Sequence, residues 1–133
     1  MDPNLFAGET PGALELERLV QQAQAAFAWR AQVDSYRGRA TVEGVEIEVS
    51  STGGVVKLRV TDAACSRGGD ALAGFVLDAV HAAQRDLAAQ VSRSAADTFG
   101  PDSPQARTVE DAVGQRYRRA AVLRPEPEDD DRR

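Results

Sequence analysis

The spacing of apolar residues changes twice between residues 12 and 100, from helical to extended and back to helical, and all six prolines lie outside that stretch. Proline removes a backbone donor and blocks regular structure, so a proline-free run bounded by prolines at positions 11 and 101 reads as one uninterrupted folded unit. In its first part Leu16, Leu19, Val20, Ala23, Ala26, Phe27 and Ala31 recur mainly three and four residues apart, which is one face of a helix. Thr10 followed by Pro11 is a start signal, with Thr10 as N-cap and Pro11 at the first helical position. The pattern stops near Tyr36-Arg37-Gly38. At 1.5 Å per residue such a helix reaches roughly 37 Å, longer than a small domain can cover by itself.

The period then becomes two. Ala40 and Val42 alternate with Arg39, Thr41 and Glu43; Val45, Ile47 and Val49 with Glu46 and Glu48; and Val56, Leu58 and Val60 with Lys57, Arg59 and Thr61. Gly44 marks a tight corner and Ser51-Thr52-Gly53-Gly54 a hairpin turn, so three short antiparallel strands are expected, with one apolar and one charged face. On the charged face Glu46 and Glu48 can stand opposite Lys57 and Arg59, each pair contributing about 0.2–1 kcal/mol.

After Gly68-Gly69-Asp70 the helical period returns. Leu72, Val76, Val80, Ala83, Leu87 and Val91 form a stripe at spacings of four, four, three, four and four, widened by Phe75 and Ala79, and the helix can run to about Phe99. Residues 99–104 read as a loop, and a weaker helical segment is read over 108–122. The organisation is thus an arm (1–11), an α-β-β-β-α domain (12–100), a loop with a short helix (101–123) and an acidic tail (124–133) with nothing apolar to bury. The fold class is α+β: long helix, three-stranded antiparallel meander, long helix. A three-stranded sheet cannot cover two such helices, and the simplest partner for the overhanging stripes is a second copy. Leu72, Val76, Val80, Ala83, Leu87 and Val91, with a meander edge, are assigned to that dimer interface.

Composition excludes several functions. One histidine, His81, and one cysteine, Cys65, build neither a multi-histidine metal site nor an intrachain disulfide, so no metal or cofactor is expected. Gly53-Gly54 and Gly68-Gly69 lack the spacing of phosphate-binding loops. Glu46, Glu48, Asp78 and Asp86 form no paired acid and base in any recognisable cleft, and no nucleophile–histidine–acid set is in view, so the expectation is a non-enzymatic protein. No apolar run approaches the ~18–20 residues of a membrane span. The opening MDPNLFAGE lacks the basic and apolar regions of a signal peptide, and a cytoplasmic protein is expected.

The segment 38–89 resembles the YbaB/EbfC family of nucleoid-associated proteins. The stretch GVEIEVSSTGGVVKLRVTDAA matches that family's meander of alternating valines between glycine turns, and DALAGFVLDAVHAAQRDLAAQ its alanine-rich helix. With the first helix the likeness covers about 90 of 133 residues. It rests on pattern and order. Fifteen arginines against one lysine, Lys57, make it similar to actinobacterial members. The resemblance implies an intertwined or tweezer-shaped homodimer that associates with the nucleoid and binds duplex DNA without enzymatic activity. Some actinobacterial relatives are similar to accessory proteins of type VII secretion, which gives the alternative of a scaffold dimer that does not bind DNA. The chain departs from the family in its Trp29 and Tyr36, in having Met1 as its only methionine, and in everything from Pro101 onward.

Charge sharpens the choice. The whole chain carries −5. Residues 124–133 hold three arginines and five acids, which leaves 16 − 3 = 13 basic and 21 − 5 = 16 acidic residues, net −3, over residues 1–123. Phosphate contacts supply most non-specific affinity, so DNA binding by an acidic chain has to concentrate in arginine clusters that a dimer repeats. The candidates are Arg37 and Arg39 around Gly38, Arg67 before the second long helix, and Arg116, Arg118 and Arg119 around Tyr117. A binder should gather these residues on one surface, whereas a scaffold should leave them dispersed and paired with acids.

Overall fold

A computed structural model describes residues 12–122, with side chains through residue 116. The Thr10-Pro11 helix start and the acidic tail lie outside the described residues. Its elements are α1 (Ala13–Val33), β1 (Gly38–Val42), β2 (Val45–Val49), β3 (Val55–Val60), a short α2 (Asp62–Cys65), α3 (Gly69–Phe99) and α4 (Pro104–Val122). Contacts divide the chain into two compact units, Met1–Val33 and Asp34–Arg133, so the division falls inside the stretch that sequence reads as one domain.

In the first unit α1 opens with the Glu15 and Leu16 amides on the Gly12 carbonyl, at 2.9 and 3.0 Å. None of its residues is buried; Leu14 is 82% and Phe27 78% exposed.

The second unit is built on the antiparallel meander in the order β1-β2-β3. Glu43 and Gly44 link β1 to β2 as a two-residue turn with φ of 49° and 82°, the double positive φ of a type I′ hairpin. A Cβ on Gly44 would also run into the Thr61 hydroxyl. The register sets Glu46 opposite Arg59 and Glu48 opposite Lys57, as the alternation implies, but neither pair closes to within 4 Å, and Glu48 instead meets Arg39 of β1. Between Glu48 and Val49 the register slips by one residue of β3.

Helix α3 lies across β1 and β2 and scarcely touches β3. The core sits where they meet: Val45, Ile47 and Val49 on β2 face Ala79, Ala83 and Leu87, with Ala64 of α2, all at most 2% exposed. Burying a valine or isoleucine side chain stabilises by about 1.5–3 kcal/mol, so β2 anchors the unit. Small alanines let the helix approach, and Gly38 lets it approach closest. A Cβ there would collide with the Ala83 carbonyl and lie 2.8 Å from Val49 Cγ2 and 2.9 Å from Leu87 Cβ.

The apolar face of β3 is only partly covered: Val60 packs half-buried against the core, but Val56 and Leu58 are 56% and 50% exposed. A helix is about 10 Å wide and strands are spaced about 4.8 Å apart, so one helix shields two strands and leaves the third. In the stripe assigned to a dimer interface, Ala83 and Leu87 are sealed inside the chain's own core, at 0% and 1% exposure, and Leu72, Val76, Val80 and Val91 pack half-buried against it. Ala83 and Leu87 are therefore core residues of the protomer.

Two helix starts rest on short capping signals. Thr61 caps α2, its hydroxyl accepting from the Ala64 amide at 3.2 Å. Ser103 caps α4, accepting from the Ala106 amide at 3.1 Å, with Pro104 in the first helical position; α4 thus begins at 104 rather than 108. It packs along α3, with Ala95 and Ala106 the buried small residues of the pair.

Candidate nucleic-acid interface

The antiparallel pairing fixes which arginines share an end of the sheet. Gly38 pairs with Val49, so the start of β1 lies beside the 50–54 turn. The Glu43-Gly44 turn, at the other end of β1, lies about 14 Å away at 3.4 Å per residue.

At the first end, Arg37 and Arg39 flank Gly38 and their backbone is pinned by α3. Gln90 Nε2 donates to the Arg37 carbonyl at 2.8 Å and to Asp86 Oδ2 at 3.0 Å, and the Arg39 amide donates to that same Asp86 oxygen at 2.9 Å. Tyr36 Oη donates to Ser94 Oγ at 2.8 Å. Residues 86, 90 and 94 stand four apart, a polar stripe beside the apolar one at Leu87 and Val91. That spacing is visible in the sequence, but its role as an anchor for the arginine-bearing strand is not. The β2–β3 turn at this end is also tethered: Gln84 Nε2 donates to the Gly53 carbonyl at 3.2 Å, and Arg116 of α4 donates to the Thr52 carbonyl. Arg116, far from Arg37 in sequence, thus joins it at one end of the sheet.

The side chains are engaged, each in a different way. Arg37 Nη1 folds back onto the Tyr36 and Asp34 carbonyls at 2.8 and 3.4 Å. Arg39, with its side chain 71% exposed, meets Glu48 Oε1 through Nη2 at 2.8 Å and Nε at 3.1 Å. An exposed pair of this kind is worth about 0–1 kcal/mol. Arg67 lies at the far end, 3.9 Å from Glu43 and 5.3 Å above the Phe75 ring. The side chains of Arg118 and Arg119 lie outside those described. The structure thus brings Arg37, Arg39 and Arg116 to one end and separates Arg67 from them.

The outward face of the sheet is a shallow depression of about 320 Å³ lined by Arg39, Thr41, Glu46, Glu48 and Lys57. Among the described residues no group of three His, Cys, Asp or Glu side chains is placed to hold a metal ion; His81 is half-buried on α3 and Cys65 is exposed. No described helix is long and apolar enough to cross a membrane. No family model matches the chain, and neither does any curated protein or solved structure.

Proposed function

We propose that this protein is a non-enzymatic, nucleoid-associated homodimer that binds duplex DNA with little base specificity. The observation that carries the reading is the gathering of Arg37, Arg39 and Arg116 at one end of the sheet. Their partners include main-chain carbonyls and, for Arg39, the half-buried Glu48 carboxylate, and a phosphate oxygen can replace a carbonyl with a charge-assisted bond. The backbone beneath Arg37 and Arg39 is held by Gln90 and Asp86, so two of the three cations project from a rigid base. A homodimer repeats this end, which is how a chain of net charge −5 would present two local cationic surfaces. The resemblance of residues 38–89 to the YbaB/EbfC family supports the same reading. Self-association is supported by the exposed Leu16, Leu19, Val20 and Phe27 on α1, and separately by Leu77 on α3, 44% exposed. The sequence offers no recognition-helix pattern and few Asn or Gln near these arginines, of which Gln90 is already bonded to the Arg37 carbonyl and Asp86, hence the low specificity.

Arg67 favours a second reading. It is remote from the other arginines and engaged with Glu43 and Phe75, the dispersed and paired pattern of a scaffold or secretion-accessory dimer. A salt titration of binding to random-sequence duplex separates the two. Wild type should bind at roughly 50 mM salt, and each of Arg37→Ala, Arg39→Ala and Arg116→Ala should lower the salt slope by about one for every phosphate that the arginine neutralises. Absence of wild-type binding at that salt selects the scaffold.

A further inference from the structure

Strand β3 is an edge of the sheet, and three of its residues are unusually open: Val55, Val56 and Leu58 are 49%, 56% and 50% exposed. An exposed aliphatic edge is a template for another strand unless charge or shape blocks it. The distribution of charge across the outward face decides which strand fits. Both acids of that face, Glu46 and Glu48, lie on the central strand, whereas the two edges carry Arg39 on β1 and Lys57 and Arg59 on β3. Glu48 is held by Arg39 at 2.8 Å, and among the described residues neither Lys57 nor Arg59 forms an ion pair within 4 Å. Both cations are exposed and open to a neighbour on the free side of β3.

Residues directly opposite one another in an antiparallel pair share a face, so a second β3 would set Lys57 and Arg59 against the same two cations. The other free edge of a second copy offers Arg39 and Thr41, again without an acid. Like charges directly opposite destabilise a pair. The meander edge is therefore poorly suited to pairing with a copy of itself, although the sequence alone makes it a natural part of a dimer seam. What does fit is already present on the other side of β3. In β2, Val45-Glu46-Ile47-Glu48-Val49, acids oppose Arg59 and Lys57 while aliphatics oppose Val60 and Leu58.

We propose that β3 is a strand-addition site that accepts an extended segment of another protein in which acidic and aliphatic residues alternate. The acids would stand opposite Lys57 and Arg59 and an aliphatic opposite Leu58, with main-chain bonds supplying affinity and the side chains selecting the sequence. The slip beside Val56 ends the regular ladder, which limits the recognised core to an acid-aliphatic-acid triplet with its flanks. This inference does not rest on DNA binding, and its test reads neither DNA nor salt slope.

The probe is a fluorescent peptide of the chain's own residues 44–50, GVEIEVS, offered to the full-length wild-type protein. Its controls carry lysine at both glutamates or methylated amides along one edge. Anisotropy should show the glutamate peptide binding about ten-fold more tightly than the lysine peptide, since two attractive pairs become two repulsive ones. The methylated peptide should lose binding, and amide exchange over 55–60 should slow only with the glutamate peptide. Lys57→Gln with Arg59→Gln, which keeps the strand uncharged and foldable, should bring the two unmethylated peptides within about two-fold of each other. Equal binding of both charge forms, undiminished binding of the methylated form, or no binding by either overturns the proposal. So does a glutamate peptide that converts a dimer to monomers in sedimentation, because the edge would then belong to the seam between copies.

Discussion

Helices α1 and α3 are both long, alanine-rich and striped with aliphatic residues, yet they end in opposite circumstances. No residue of α1 is buried, while Ala79, Ala83, Leu87 and Ala95 of α3 are. Their internal patterns do not account for the difference, since both carry aliphatics at helical spacing. What α3 has is a sheet folded against it, bringing Val45, Ile47 and Val49 to its alanines. An amphipathic stripe states that a helix needs a partner; it does not say whether the partner is in the same chain. Within the second unit the same lesson holds for strands, since β2 is sealed and β3 is half open.

The contrast breaks most sharply by placing a charge on each helix in turn. Leu87→Asp puts an unpaired carboxylate at a site 1% exposed and should cost about 4 kcal/mol or more, abolishing the cooperative melt of the second unit in calorimetry. Leu19→Asp on α1, at a site 51% exposed, should leave that melt within about 0.5 kcal/mol of wild type. Its effect should appear in sedimentation, as a shift towards the 14.2 kDa monomer. Gly38→Ala attacks the closest approach of α3 to the sheet and should destabilise by about 1–3 kcal/mol in a denaturant titration, because the Ala83 carbonyl and Leu87 have nowhere to retreat. Ser103→Ala removes the cap of α4 and should cost about 1 kcal/mol, with faster amide exchange confined to the first turn after Pro104. Glu48→Gln has the smallest expected effect on folding, below about 1 kcal/mol, since its partner Arg39 is largely exposed. The same change releases Arg39 and removes a negative charge from the sheet, so duplex affinity at low salt should rise a few-fold.

The candidate site is only partly readable from the sequence. Arg37 and Arg39 stand out because they bracket a glycine at a helix-to-strand junction, a local feature. That Arg116 reaches their end of the sheet depends on α4 folding back along α3 from the Ser103 cap, a long-range event with no signal at Arg116 itself. Arg67 looks equivalent in the sequence, yet the hairpin sends it to the far end beside Glu43. The anchors Asp86 and Gln90 are visible as polar positions four apart, but nothing local says that a strand start will hydrogen-bond to them.

By itself the sequence determined the order helix, meander, helix, and the facing of Glu46 and Glu48 towards Arg59 and Lys57. These follow from alternation and from glycines at tight turns, which act over a few residues and leave little choice of register. Only the tertiary structure decided that Ala83 and Leu87 belong to the protomer's core, that β3 keeps an open aliphatic edge, and which arginines stand together. Those outcomes depend on where one helix about 10 Å wide crosses a sheet of three strands spaced about 4.8 Å apart, and on which end of the sheet each turn and helix reaches. Such geometry joins residues that are distant in the chain, and no short stretch of sequence records it.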